Sequence, residues 1–244
     1  MRKCRDFINI AAHELRTPIQ PILGLSEILS PIAGKKNKEY IDVIIRNAKR
    51  LKRLSEDILD TTRIESKTLN LKKQSFSFIK AISDIVNDYS PSSTATELNK
   101  YTNSQVTISF SASEELKSID VVADPDRIKQ VLSNLVNNSL KFTKEGTISI
   151  TAELAKKPYN HKVIHKIIVR VKDTGLGIDL DILPRLFSKF VTKSNYGDGG
   201  SGTGLGLYIC KGIIKAHGGR IWAKNNKDGK GATFSFSLPF ANVL

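Results

Sequence analysis

The sequence predicts two domains: an all-α helical hairpin that forms a dimeric four-helix bundle, then an α/β sandwich with a mixed, mainly antiparallel sheet. Apolar residues repeat at three- and four-residue steps up to residue 67, as they do in amphipathic helices. From residue 68 onward, short strand-like segments alternate with helical ones, which is typical of helices layered on a sheet. The length of 244 residues, 40% of them hydrophobic, suits one large or two small domains, and the change of pattern at residue 68 favours two, 1–67 and 68–244.

The overall charge of +14, from 38 basic and 24 acidic residues, raises the question of an anionic partner. Basic residues are densest on the second helix, at Arg46, Lys49, Arg50, Lys52 and Arg53. A solvated helix face is the commonest reason for such a cluster, and docking of an acidic protein is the second. Nucleic acid ranks third because no recognised nucleic-acid-binding motif accompanies the charge, and we expect no nucleic acid partner.

Cellular location is indicated by cysteine usage and by the absence of long apolar runs. Cys4 and Cys210 lie far apart with no metal-binding spacing, which favours a reducing, cytoplasmic setting. No apolar run reaches the length of a membrane span, and no signal peptide begins the sequence. We therefore expect no membrane contact within this segment; an anchor of the full-length protein would lie in a segment not present here.

The helical hairpin is predicted from two long apolar repeats with a turn between them. The first helix is expected over 3–29, the turn over 30–37 and the second helix over about 38–67. Apolar positions of the first helix fall on two heptad registers: Ile8, Leu15, Ile22 and Leu29, and Ala11, Pro18 and Leu25. One hairpin covers only one side of such a seam, so a second copy is expected to complete a four-helix bundle as a homodimer.

A histidine stands on the side of the first helix that faces away from the seam. His13 follows Ile8 by five residues, so it should point to solvent with Glu14 beside it and Thr17 one turn further on. Pro18 and Pro21 should bend the helix shortly afterwards. Alone, this pattern is that of a surface histidine on an ordinary amphipathic helix.

The second domain is predicted as alternating strands and helices. Strands are expected at 68–76, 106–111, 119–123, 146–154, 163–172, 220–225 and 231–238. Helices are expected at 77–89, 124–143, 181–190 and 205–217, with a glycine-rich loop at 191–204 and a helix stop at Gly218-Gly219.

The helix predicted over 124–143 carries three polar residues on one face. Asn134, Asn138 and Lys141 follow each other by four and three residues, so they project together. Buried asparagines usually bond neighbouring backbone. Two of them aligned with a lysine resemble oxygen ligands for a hard cation such as magnesium beside a counter-charge for phosphate.

A second candidate segment, Asp173-Thr174-Gly175-Leu176-Gly177-Ile178, follows a predicted strand. Its glycines allow backbone to approach a flat ligand, and Asp173 can accept a hydrogen bond from an exocyclic amino group. An Asp-Thr-Gly triplet also occurs in aspartic proteases. That chemistry needs two facing carboxylates, and this chain has one such triplet; a dimeric protease has no further support in the sequence.

A third segment is rich in glycine and leads into an apolar helix. Its glycines are Gly197, Gly199, Gly200, Gly202, Gly204 and Gly206. A flexible loop that enters a helix N-terminus can bind phosphate. No preceding strand of a βαβ unit supports a dinucleotide fingerprint, and no Gly-Lys-Ser/Thr supports a P-loop.

Taken in order, these segments resemble the catalytic core of a two-component sensor histidine kinase. His13–Pro18 resembles the family's H box, Asn134–Thr143 its N box, and Asp173–Ile178 its first glycine box. Phe187–Phe190 resembles the F box and Gly202–Leu207 the second glycine box. The resemblance spans 3–240, and five boxes in the family's order are far more specific than any one alone.

The resemblance implies a fold, an activity and a set of site residues. Residues 68–244 would form an ATP-binding domain of the Bergerat fold. His13 would be the phosphoacceptor, Glu14 the general base, and Thr17 the residue that places water for dephosphorylation of a response regulator. Asn138 would ligate Mg²⁺ with support from Asn134. The expected ATP-binding residues are Asn134, Asn138, Lys141, Phe142, Asp173, Gly175, Gly177, Ile178, Lys193, Gly202, Thr203, Gly204, Leu205 and Gly206.

The implied function is ATP-dependent autophosphorylation of His13 and transfer of the phosphoryl group to an aspartate of a response regulator receiver domain, with additional phosphatase activity on that regulator. Two departures from the family pattern are visible. Phe142 stands where tyrosine is common, and Val191-Thr192-Lys193 replaces the commoner Tyr-Arg, with Lys193 as the substitute charge. Two other functions remain open: a non-catalytic dimerising adaptor that binds nucleotide, and an ATPase of the gyrase or mismatch-repair type.

Overall fold

The computed structural model describes residues 19–89, 105–117, 119–159, 162–191 and 203–240. They form two compact units. One comprises the described residues up to Leu69 together with 203–205; the other comprises Asn70 to 191 and the residues from Gly206 onward. The expectations for the first half of the first helix, with its H box, and for 192–202 lie outside the described residues.

The first unit is a helical hairpin. Residues 19–29 are helical (α1), and α2 spans Lys35–Glu65, three residues longer at its start than the sequence predicts. Within the chain, α1 contacts α2 through a small buried cluster of Ile19, Leu23, Ile45 and Ala48. The heptad positions Ile22, Leu25 and Leu29 are not in that cluster: 48%, 61% and 48% of their surfaces remain exposed.

The second unit is an α/β sandwich, and its mixed, mainly antiparallel sheet confirms the predicted class. Its strands are β1 (Gln74–Ser77), β2 (Val106–Ala112), β3 (Asp120–Ala123), β4 (Gly146–Tyr159), β5 (Lys162–Asp173), β6 (Arg220–Asn225) and β7 (Ala232–Phe240). Its helices are α3 (Phe78–Asp88), α4 (Glu114–Lys117), α5 (Pro125–Phe142) and α6 (Gly206–Ala216).

The main sheet has the strand order β2-β4-β5-β7-β6, in which only the β2–β4 pair is parallel. Strands β1 and β3 form a separate antiparallel pair. The central strand β5 is apolar and fully buried at Ile167, Val169 and Val171, and helix α5 packs against it. This packing places the end of β5 beside the C-terminal end of α5.

Helix α5 is fixed at both ends by local chemistry. Asp124 is its N-cap and accepts a hydrogen bond from the Arg127 amide at 3.1 Å, while Pro125 occupies the first turn, where no amide donor is needed. Asp124 also accepts a hydrogen bond from the Lys72 amide at 2.8 Å, and its own amide donates to His217 Nε2 at 3.1 Å. The orientation of α5, which carries the polar face, is thereby anchored.

Several predicted boundaries were wrong. The first strand begins at Gln74, and 68–73 form no strand. The helix expected over 181–190 is only a 3-10 turn, Leu183–Arg185, because the amides of Arg185 and Leu186 bond carbonyls three residues back and no α-helical ladder follows. Strand β4 continues beyond its predicted end at residue 154 to Tyr159, because it still pairs there with β5, whose range Lys162–Asp173 differs from the predicted one by a single residue at each end.

Candidate functional site

Asp173 ends the central strand of the main sheet and is 3% exposed. Its Oδ1 atom accepts hydrogen bonds from the Gly175 amide at 3.0 Å and the Ala232 amide at 3.2 Å. Its Oδ2 atom has a long contact of 3.4 Å with Ser139 Oγ. Burial raises the pKa of Asp173, and these hydrogen bonds act in the opposite direction. One carboxylate oxygen is thus held by backbone, and the other has capacity to accept a stronger bond.

The loop after Asp173 lies tightly against the end of α5. A Cβ at Gly175 would be 2.7 Å from Thr143 Oγ1 and 2.8 Å from the carbonyl carbon of Phe142, so only glycine fits there without a shift. The Leu176 amide donates to the Phe142 carbonyl at 3.1 Å. Gly177 has φ +73°, which favours glycine. The Asp173–Ile178 loop and Phe142 therefore form one surface.

The polar face of α5 has far fewer contacts with the protein. Asn134 is half-buried and donates through Nδ2 to Cys210 Sγ at 3.7 Å. Asn138 is also half-buried, and its side chain has no hydrogen bond among the described residues. Lys141 is exposed, with Nζ 5.4 Å from the ring centroid of Phe142. These side chains are available to an added ligand.

The described residues of the second glycine box, Thr203 to Leu207, are divided between the two units. Gly206 begins α6, and a Cβ there would lie 3.6 Å from the Asn134 amide group, so the structure brings these two residues together. Thr203, Gly204 and Leu205 belong to the first unit, where Thr203 Oγ1 donates to Asp57 Oδ2 at 2.9 Å. Burial raises the pKa of Asp57, and the bond from Thr203 opposes that rise.

The sequence-predicted residues thus fall into three groups. The second unit holds a first group together, consisting of Asn134, Asn138, Lys141, Phe142, Asp173, Gly175, Gly177, Ile178 and Gly206. Thr203, Gly204 and Leu205 lie in the first unit. His13, Glu14, Thr17, Lys193 and Gly202 lie outside the described residues.

Four residues around Asp173 were missed by sequence reasoning. Ser139 directly follows Asn138 and could have been found because its place on α5 faces the same side as the sheet. Asn225, Asn226 and Ala232 contact the Asp173–Ile178 loop from β6, β7 and the turn between them. No local pattern marks these three, because their contacts depend on which strands are neighbours.

The few side-chain oxygens on the polar face of α5 suit Mg²⁺ better than a metal ion that is coordinated entirely by protein groups. The described residues contain no group of three or more His, Cys, Asp or Glu side chains that could hold a metal ion. Mg²⁺ keeps several waters, takes few protein oxygens and is commonly completed by substrate phosphates. The unbonded amide oxygen of Asn138 fits that requirement.

Comparisons with known proteins agree with this geometry. Residues 4–67 match the His Kinase A (phospho-acceptor) domain, and 123–242 match the histidine kinase-, DNA gyrase B- and HSP90-like ATPase domain. Fold and site therefore define a nucleotide-binding α/β domain preceded by a phosphoacceptor helical domain. The chain belongs to the histidine kinase family and contains the catalytic core of a sensor histidine kinase.

Individual relatives show how much of a longer protein this chain matches. It is 34% identical over 241 residues to the autoinducer 2 sensor kinase/phosphatase LuxQ of Vibrio harveyi, covering 96% of this chain and 26% of LuxQ. The chain thus spans about a quarter of the length of this relative. Among the described residues, no helix combines the length and the apolar composition required to cross a membrane.

Solved structures give the same assignment. Full-length ShkA in complex with AMPPNP superposes with a TM-score of 0.73 at 25% identity, covering 97% of this chain and 46% of ShkA. The catalytic domain of the histidine kinase ThkA superposes with a TM-score of 0.53 at 31% identity, covering 69% of this chain and 96% of that domain.

Proposed function

We propose that the chain autophosphorylates on His13 with ATP and passes the phosphoryl group to an aspartate of a response regulator, with additional phosphatase activity on that regulator. In this proposal, 1–67 is the dimerisation and phosphotransfer hairpin and 68–244 is the ATP-binding domain. The cysteine usage favours a cytoplasmic location for both.

The observation that carries the proposal is the environment of Asp173. A buried carboxylate with one oxygen fixed by two backbone amides presents its other oxygen as an oriented acceptor. Adenine offers such an acceptor an exocyclic amino group. Gly175 and Gly177 allow the loop to pack closely on Phe142, Thr143 and Asn225, which holds the loop in place beside Asp173.

The polar face of α5 supports a role at the phosphates. Asn138 would hold Mg²⁺ with support from Asn134, and Lys141 would place a positive charge near the triphosphate. A bound Mg²⁺ neutralises phosphate charge and aligns the γ-phosphoryl group, which is most of what phosphoryl transfer requires. By the family resemblance, Lys193 and the glycine-rich segment from Gly202 to Gly206 would also contribute to phosphate binding.

The chemical step uses the helical hairpin. A ring nitrogen of His13 attacks the γ-phosphorus, the bond from that phosphorus to the bridging oxygen breaks, and ADP departs. Glu14 orients the imidazole and accepts its proton. The phosphohistidine then transfers its phosphoryl group to a carboxylate of the receiver domain. In the phosphatase reaction, Thr17 would position a water molecule that attacks the phosphorus of the receiver's phosphoaspartate, so that the bond to the carboxylate breaks and inorganic phosphate departs.

The exposed heptad positions of α1 support a homodimer. Ile22, Leu25 and Leu29 lie on the outside of a single hairpin, where a second copy would cover them and complete a four-helix bundle. The basic residues of α2, including Arg50 and Arg53, would face the acidic receiver domain.

The decisive experiment incubates the chain with radiolabelled ATP and Mg²⁺. Wild type should acquire an acid-labile label, and His13→Gln should acquire none. Label on the His13→Gln variant would contradict the role of His13 as the phosphoacceptor. Thr17→Ala is the matched control on the same helix, because it should slow regulator dephosphorylation and leave autophosphorylation nearly intact. ATP binding without phosphohistidine would favour a nucleotide-binding adaptor, and rapid phosphate release without phosphoenzyme would favour a gyrase-type ATPase.

A further inference from the structure

Two neighbouring asparagines, Asn225 and Asn226, hold the two ends of the Asp173–Ile178 loop. Asn225 Oδ1 accepts from the Ile178 amide at 2.7 Å, and Asn225 Nδ2 donates to the Ile178 carbonyl at 2.7 Å. Asn226 Nδ2 donates to the Asp173 carbonyl at 2.8 Å. Each asparagine therefore fixes one end of the loop.

The bond pattern at Asn225 requires a side chain with a donor and an acceptor side by side. Only an amide provides both, so Asn225 satisfies the amide and carbonyl of Ile178 as a neighbouring strand would. The side chain is only half-buried, and its near neighbour Gly177 would place a Cβ 3.1 Å from Asn225 Oδ1. The far end of the loop is thus attached to β6 through one side chain.

Asn226 attaches the near end of the loop to the β6–β7 turn. Its Nδ2 also donates to the Lys230 carbonyl at 2.7 Å, and its Oδ1 accepts from Thr233 Oγ1 at 2.6 Å. The turn backbone lies close to Asp173, since a Cβ at Gly231 would be 2.7 Å from Asp173 Oδ1. Asn226 therefore holds the Asp173 backbone, from which the carboxylate extends toward the Gly175 and Ala232 amides.

We propose that Asn225 and Asn226 are positioning residues for purine-base recognition: Asn226 fixes the Asp173 carboxylate, and Asn225 fixes the loop that lies beneath the base. This inference rests on the proposed function, in which Asp173 accepts a hydrogen bond from adenine. Adenine presents an amino group where guanine presents a carbonyl oxygen. A carboxylate held in one place rejects that oxygen, so loosening the carboxylate should reduce the preference for ATP over GTP.

The test measures dissociation constants of ATP and GTP on the full chain, by competition with a fluorescent ATP analogue. Asn225→Asp and Asn226→Asp keep the size and the accepting oxygen and remove the donating nitrogen. We expect each to weaken ATP binding about tenfold and to reduce the ATP-over-GTP preference at least about threefold. Asp228→Asn is the matched control on the same turn, because Asp228 contacts Lys230 and Lys172; its ATP affinity should stay within about twofold of wild type.

The outcomes separate this inference from the proposed function. A wild-type chain that fails to bind ATP would overturn the proposed function, and the inference with it. If wild type binds ATP and both variants keep its affinity and its preference for ATP, the inference alone is overturned. A lowered melting temperature with an unchanged ratio of ATP to GTP dissociation constants would also overturn it, because that result indicates a purely structural role. If an aspartate variant does not fold, Asn225→Ser and Asn226→Ser are judged by the same ratio.

Discussion

The two ends of the candidate nucleotide site differ in how completely the protein satisfies them. At the Asp173 end, the carboxylate, the loop backbone and the closing turn are joined by a continuous set of hydrogen bonds. On the polar face of α5, Asn138 has no side-chain hydrogen bond among the described residues, and Lys141 is exposed. At the first end only Asp173 Oδ2 keeps capacity for a further bond, whereas at the second end the protein satisfies few of the polar groups.

This difference leads us to expect that the two ends contribute to different steps, one to nucleotide binding and the other to the reaction. Preorganised groups bind without reordering themselves, so the Asp173 end should contribute most of the nucleotide affinity. The side chains on the polar face of α5, whose proposed partners are metal and phosphate, should instead contribute to the reaction rate, because charge changes at the phosphates during the reaction. Mutations at the two ends should therefore affect different measurements.

The largest effect is expected from Asp173→Ala. The substitution removes the acceptor of the Gly175 and Ala232 amides and the proposed acceptor of the adenine amino group. A hydrogen bond to a charged group contributes up to about 3 kcal/mol, so loss of the bond to adenine should weaken ATP binding by about 100-fold. The two unpaired amides should lower the free energy of unfolding instead. Titration with a fluorescent ATP analogue measures this loss. Asp181→Ala, at an exposed carboxylate, should bind normally; equal binding by both variants would contradict the role of Asp173.

Asn138→Ala should instead affect the rate of reaction. The autophosphorylation rate should fall about 100-fold, because the proposed magnesium ligand stabilises charge in the transition state by several kcal/mol. ATP affinity without magnesium should change by less than about threefold. The neighbouring Asn137→Ala is the control, since Asn137 is exposed on the same helix. If both variants lose rate equally, Asn138 has no special role.

The smallest expected effect is a difference in stability between alanine substitutions at two glycines of the site. Gly175→Ala places a methyl group against the Phe142 carbonyl and Thr143, whereas the methyl group of Gly206→Ala meets Asn134 at an ordinary contact distance. Overpacking should lower the free energy of unfolding by about 2 kcal/mol for Gly175→Ala, and Gly206→Ala should stay within about 0.5 kcal/mol of wild type. Urea denaturation of the α/β unit measures both values; a smaller loss at Gly175 than at Gly206 would show that the loop can shift.

The parts of the site that could be predicted are those encoded locally. Asn134, Asn138 and Lys141 share a helix face because of their spacing, and Asp173 was identified by its place after an apolar strand. Asn225 was not predicted to meet Ile178, because the two residues are 47 positions apart and meet only through the order of the strands.

Secondary-structure boundaries failed for a related reason. The outer part of β4 contains Lys156, Lys157 and Pro158, whose composition indicates a loop. These residues form a strand because they pair with β5 across the hairpin, where Pro158 lies opposite Val163. A single-sequence pattern contains no information about such a partner.

The hydrogen bond from the Lys72 amide to Asp124 has a mechanical consequence. Lys72 lies on the segment that leads from α2 into the α/β unit, and Asp124 caps the helix that carries Asn134 and Asn138. A displacement of that segment would act on the cap of α5 through this 2.8 Å bond and through the pairing of Gln74 with Ala123, the residue before the cap. The segment from Asn70 to β1 is thus attached at the start of the helix that carries Asn134 and Asn138.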